Sequence, residues 1–190
     1  NVASGSGYGI RAYDDLTICG NAVVSAGTGS APKDTYAIYA ADELVVTDQA
    51  NVTAKAGEAG VNSYGINSGD NFTASGDAKV NTEGGKGTER SAGLYAISNI
   101  YVKDDAQVST LGAVNNEPEK FASESYGIRT THMYISGGTL TTTGQAATIS
   151  GISAGIYTQD FELTGGTVNA NSVDAGEALS IGIQSTKTLK

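Results

Sequence analysis

One apolar position returns about every 28 residues, set in a phrase of small and polar neighbours. The phrase reads GYGI at 7–10, TYAI at 35–38, SYGI at 63–66, SAGL at 91–94, SYGI at 125–128, SAGI at 153–156 and SIGI at 180–183. A second apolar position follows at Leu16, Leu44, Phe72, Ile100, Met133, Phe161 and Leu189, with an apolar or small partner two places on, as in Ile18, Val46 and Val102. A third follows at Val24, Val52, Val80, Val108, Leu140 and Val168. Spacing of i, i+2 is that of a strand, in which alternate side chains share one face. Each unit therefore predicts three short strands.

The residues between these positions are turn formers. Gly20-Asn21, Asp48-Gln49, Gly76-Asp77, Asp104-Asp105, Gly137-Gly138 and Gly165-Gly166 stand between the second and third positions, and such residues tolerate positive φ or bond back to their own backbone. A corner belongs there in every unit. A helical repeat of similar length is excluded, because the chain has 26 Gly, many Ser, Thr and Val, and no 3.6-residue apolar period. Strands repeated head to tail by the same connections must be parallel, stacked about 4.8 Å per coil. The expected fold is all-β: one right-handed parallel β-helix domain over 1–190, with nearly seven coils starting near 7, 35, 63, 91, 125, 153 and 180, about 30 Å tall. The segment at 114–124 is an insertion carrying Pro118, and it is a candidate docking loop for a protein partner. The chain starts just before its first anchor and stops inside a seventh unit, which reads as an excerpt of a longer solenoid.

Composition narrows the function. A formal charge of −9 and a pI near 4.4 argue against nucleic acid as partner. No apolar run is long enough for insertion into a membrane, and the first residues are not a signal peptide. One cysteine, Cys19, allows no internal disulfide.

In a solenoid, equivalent residues stack in columns, so the chemistry is read down the repeats. With the anchors inside, alternation turns the next residue outward, giving the column Arg11, Tyr39, Asn67, Tyr95, Arg129, Tyr157 and Gln184. The residues just before the anchors, mostly glycine, would form a smooth strip beside it. Aromatic rings stack on the C–H faces of sugars, while Arg, Asn and Gln bond their hydroxyls, so this column is the candidate ligand-binding surface. The same stacking also stabilises exposed parallel sheet by cross-strand contact alone. A second tyrosine column, Tyr8, Tyr36, Tyr64 and Tyr126, is expected to share the anchors' face and pack in the core.

Acidic residues stack too. Asp14, Asp42 and Asp70 would lie roughly 5 Å apart in register, a candidate calcium site because hard cations take oxygen ligands. A solvated acidic surface is the competing reading, since the column lapses to Ser98 and Thr131. Arg11 beside Asp14 and Asp42 is the nearest approach to a polysaccharide-lyase arrangement, which needs a base facing carboxylates. His132 is the sole histidine, and no catalytic residue is assigned. Asn51-Val-Thr53 and Asn71-Phe-Thr73 match the glycosylation pattern but fall in predicted strands.

The units Ser-Ala-Gly-Ile-Tyr at 153–157, Phe-Glu-Leu-Thr-Gly-Gly-Thr-Val at 161–168 and Tyr-Ile-Ser-Gly-Gly-Thr-Leu at 134–140 resemble the repeats of clostridial and gut-commensal cell-surface β-helix proteins. Among these are carbohydrate-binding β-helix proteins similar in fold to pectate and other polysaccharide lyases. The resemblance implies an exported, extracellular bacterial surface protein that binds cellulose or acidic sugars, with calcium as a partner. Three functions follow as expectations. The leading one is a non-catalytic module binding polysaccharide or a cell-surface glycan. The others are a protein-binding adhesin or stalk, and a calcium-dependent lyase.

Overall fold

A computed structural model of the chain describes residues 5–114, 124–147, 151–173 and 179–190. The first coil is β1 (Gly7–Ala12), β2 (Leu16–Ile18) and β3 (Val23–Gly27); the second is β4 (Thr35–Ala40), β5 (Leu44–Val46) and β6 (Asn51–Lys55). The third is β7 (Asn62–Ser68), β8 (Phe72–Ala74) and β9 (Lys79–Glu83), and the fourth β10 (Arg90–Ala96), β11 (Asn99–Val102) and β12 (Gln107–Leu111). In the last coils strands run on through corners: β13 (Glu124–Arg129), β14 (His132–Gly144), β15 (Ile152–Ser172) and β16 (Leu179–Leu189). Every element among the described residues is a strand and every strand pairing is parallel. The molecule is a parallel β-solenoid of about 6 turns of ~28 residues, as the repeat predicts.

Each pairing is displaced by one coil. Ile10 lies opposite Ile38, Ile38 opposite Ile66, Ile66 opposite Leu94, Leu94 opposite Ile128 and Ile128 opposite Ile156. The insertion is taken up without loss of register, because Arg90 pairs with Glu124 on its far side. The predicted docking loop itself lies, apart from its end residues, outside the described residues.

All three apolar positions turn inward. Ile38, Leu44, Val52, Ile66, Phe72, Val80, Leu94 and Ile100 are 0% exposed and belong to one continuous core. Stacking a coil hides the apolar rows of its neighbours, so burial is collective. Two polar devices recur along the stack. At the corner between the second and third strands, φ is positive at Gly20, Asp48, Gly76, Asp104, Gly138 and Gly166. Where aspartate takes that place its carboxylate caps the coil before: Asp48 accepts from the Gly20 N–H at 2.9 Å, and Asp104 from the Gly76 N–H at 3.0 Å. The second device is the serine that opens the repeat phrase. The N–H groups of Gly85 and Ala113 donate to the Ser63 and Ser91 hydroxyls at 2.8 Å, tying the end of a coil to its start. Buried backbone N–H groups need such partners, and this explains a recurrence that hydrophobic periodicity leaves unexplained.

Candidate functional site

The predicted ligand column is in register throughout. Arg11 pairs with Tyr39, Tyr39 with Asn67, Asn67 with Tyr95, Tyr95 with Arg129, Arg129 with Tyr157 and Tyr157 with Gln184. Arg11 is exposed, Tyr39, Tyr95, Arg129, Tyr157 and Gln184 are partly buried, and Asn67 is 6% exposed and offers a ligand little surface.

The neighbouring columns differ from simple alternation. Glycines before the anchors do not form an outer strip. A Cβ built on Gly65 would lie 2.9 Å from the backbone N of Glu83, and one on Gly93 would lie 2.6 Å from the backbone N of Leu111. These glycines face inward, against the third strand of their own coil. Gly and anchor therefore both point inside, the strand bends there, and the residue before the glycine returns to the outer side. That is why Tyr8, Tyr36, Tyr64 and Tyr126 are not with the anchors. Tyr64 and Tyr126 are buried in a separate cluster with Ala92 and Ala154, against which Tyr36, Tyr95 and Tyr157 pack. The two tyrosine columns make one outer layer.

Within that layer large and small residues alternate: Tyr64 beside Asn67, Ala92 beside Tyr95, Tyr126 beside Arg129, Ala154 beside Tyr157. Tyr95 thus leans over Ala92 to stack on Tyr64 at 5.2 Å, and Tyr157 leans over Ala154 onto Tyr126 at 5.2 Å. Tyr8 stacks on Tyr36 at 5.1 Å. The Arg129 guanidinium lies 5.6, 5.8 and 5.7 Å from the rings of Tyr95, Tyr126 and Tyr157. Arg11 sits 4.5 Å from Tyr8 and 4.4 Å from the exposed Tyr13 ring. These contacts use much of the ring faces, so the layer presents ring edges, hydroxyls and guanidinium groups to solvent. Neither arginine has an ion pair or hydrogen bond among the described residues, and the Arg129 Nε is buried without a partner.

The upper edge of the layer is polar and closed on itself. Arg90 donates through Nε to Glu124 at 2.7 Å and through Nη1 to the Tyr64 hydroxyl at 3.3 Å. Burial works against the Arg90 charge, but these bonds outweigh it and raise its pKa. Burial also pushes the Tyr36, Tyr64 and Tyr126 phenols up, helped by Asp34 at Tyr36 and by Glu124 at Tyr126. The Tyr36, Tyr64 and Tyr126 phenols are therefore neutral at ordinary pH.

Of the predicted calcium ligands, Asp14 and Asp42 come together with Asp15, one oxygen of each lying within 4.8 Å of the others. Asp70 stands outside this group, and its Oδ2 accepts from Asn71 Nδ2 at 2.9 Å. The three clustered carboxylates are exposed, and Asp15 accepts from the Glu43 N–H at 3.0 Å. Among the described residues they are the one group of three carboxylates close enough to share a cation. Arg11, the base of a lyase-like reading, is held between tyrosine rings. His132 is not isolated: its Nδ1 lies 2.9 Å from Asp160 Oδ2. A Thr188 hydrogen bond and His132 hold the Asp160 carboxyl below its usual range.

One aromatic feature escaped the column reading. Tyr101 and Tyr134 stack at 5.3 Å on the outer face of the second sheet, with the Lys103 ammonium 4.8 Å from the Tyr101 ring. Reading the residue between the paired apolar positions, Thr17, Val45, Thr73, Tyr101, Tyr134 and Glu162, would have found it.

Compared with known protein families, curated proteins and solved structures, the chain matches none. The resemblance to bacterial surface proteins rests on the repeat phrases alone, and the fold on the structure.

Proposed function

We propose that the chain is a non-catalytic module of an exported, bacterial cell-surface protein that binds polysaccharide along its first sheet. The observation that carries this is the pair of arginines, Arg11 and Arg129, held on tyrosine rings with no ion pair or hydrogen bond of their own among the described residues. Such groups are pre-organised donors, and the rings beside them fix their direction without using their N–H bonds. Tyr39, Tyr95, Tyr157 and Gln184 add further polar edges in the same register. The expected contact is therefore hydrogen bonding to sugar hydroxyls along the coil axis, with stacking on the exposed Tyr13 ring as a local addition. Asp14 and Asp15 follow Arg11 closely in sequence, with Asp42 of the next coil gathered to them, and a calcium ion held there would bridge to a sugar at the same end.

The test is a polysaccharide and glycan array, run with calcium and again with chelator. Binding is expected, and Tyr95→Ala should lower affinity about tenfold while the sheet spectrum is unchanged. Silence on the array in both conditions would overturn the reading in favour of a protein-binding adhesin or stalk. An unsaturated product released from polygalacturonate would overturn its non-catalytic part.

A further inference from the structure

The chain's negative charge is not spread evenly over the solenoid. Asp14, Asp15, Asp42, Glu43 and Asp70 line the corner that enters the second sheet in the first three coils. Asp48, Asp77, Asp104 and Asp105 line the corner that leaves it in coils two to four. The two rows hold almost half of the chain's 20 acidic residues, and the basic residues nearest them in those coils are Arg11, held on tyrosine rings, Lys79 and Lys103. Strands of three or four residues separate the rows, a distance of about 10 Å. None of these carboxylates is in an ion pair among the described residues.

What lies between the rows is neither charged nor smooth. Thr17, Val45 and Thr73 offer methyl groups, and Tyr101 and Tyr134 continue the same line as a stacked, partly exposed pair. The Tyr101 ring already takes an ammonium group, that of Lys103 at 4.8 Å.

From this juxtaposition we propose that the outer face of the second sheet docks an extended, lysine- or arginine-rich polypeptide segment lying along the solenoid axis. The charge complementarity is with many separate cations. A compact divalent ion would need carboxylate oxygens gathered around it, and only Asp14, Asp15 and Asp42 are so gathered among the described residues. The other carboxylates are spaced coil by coil, as the side chains of a polymer would meet them. Aliphatic stems of lysine and arginine cover apolar surface while their heads reach for charge, which suits the methyl strip between two acidic rims. Tyrosine rings at the end of the strip take such cations directly. This face is separate from the tyrosine and arginine layer of the first sheet, and the inference does not depend on glycan binding there.

The experiment is a fluorescence-anisotropy titration of a labelled oligolysine peptide with the full chain, at low and raised salt, with oligoglutamate as control. Oligolysine should bind and oligoglutamate should not, with affinity falling steeply as salt screens the rows. Asp77 and Asp105 carry no side-chain hydrogen bond among the described residues, so Asp77→Asn with Asp105→Asn should keep the fold and weaken binding about tenfold. Tyr134→Ala should weaken it about threefold and leave the salt dependence unchanged. Glu58 and Glu89 are exposed on other parts of the coil, and Glu58→Gln with Glu89→Gln should change affinity less than about twofold. An equal loss from the Glu58 and Glu89 pair would mean diffuse attraction to an acidic protein and would sink the proposal. So would absence of oligolysine binding at low salt, or displacement by calcium that Asp14→Asn abolishes while Asp77→Asn with Asp105→Asn has no effect.

Discussion

Gly20 and Gly93 are glycine for opposite reasons. Gly20 has φ 67 and nothing within 4 Å of the place where a Cβ would be, so its constraint is conformational. Gly93 has no such φ, but a Cβ there would meet the Leu111 backbone N at 2.6 Å, so its constraint is space. Alanine at Gly20 should cost about 1 kcal/mol, the ordinary charge for a left-handed residue. At Gly93 it should cost about 3 kcal/mol, because the first and third strands must move apart. Urea unfolding followed by circular dichroism separates the two, and equal losses would mean that the close approach at Gly93 is not a constraint. The first of these glycines was visible from its turn partners in the chain. The second was visible only as a recurrence, since the strand it touches lies in a different part of the coil.

At the scale of the strand, the first sheet departs from strict alternation, and its titration should show it. Two consecutive inward residues, such as Gly65 and Ile66, bend the strand and bring Tyr64 to the same side as the outward column. Burial raises the phenol pKa of Tyr36, Tyr64 and Tyr126 above the unfolded value of 10.0. A group whose folded pKa is raised gives stability that is fully present below the unfolded pKa. That stability is lost as pH climbs toward the folded value. The chain is therefore expected to weaken progressively above pH 10.0. Tyr126→Phe should blunt that loss while changing stability at neutral pH by only about 1 kcal/mol. Matching alkaline profiles for parent and variant would rule out this phenol as the source. At the acid end the sign reverses for Asp160, whose lowered pKa gives stability present above 3.8 and lost as pH falls below it.

Across the whole molecule each coil touches only its neighbours, so cooperativity depends on every interface being sound. Ile66 is fully buried in the third coil between Ile38 and Leu94. Ile66→Ala should cost about 2–5 kcal/mol and, by weakening two interfaces together, shallow the urea transition. An unchanged slope would show that the solenoid still unfolds as a unit. The parallel solenoid, its coil length, its in-register columns and its corners were all determined by the sequence. They depend on local strand period, turn chemistry and identical connections, and each of these is written within one repeat. The tertiary structure alone decided that the glycine column is buried against the third strand and that both tyrosine columns share one outer layer. It alone decided that Asp70 stands apart from Asp14, Asp15 and Asp42, and that serine hydroxyls tie coil ends to coil starts. Those outcomes depend on how far one side of a coil lies from another, a distance that no spacing along the chain records.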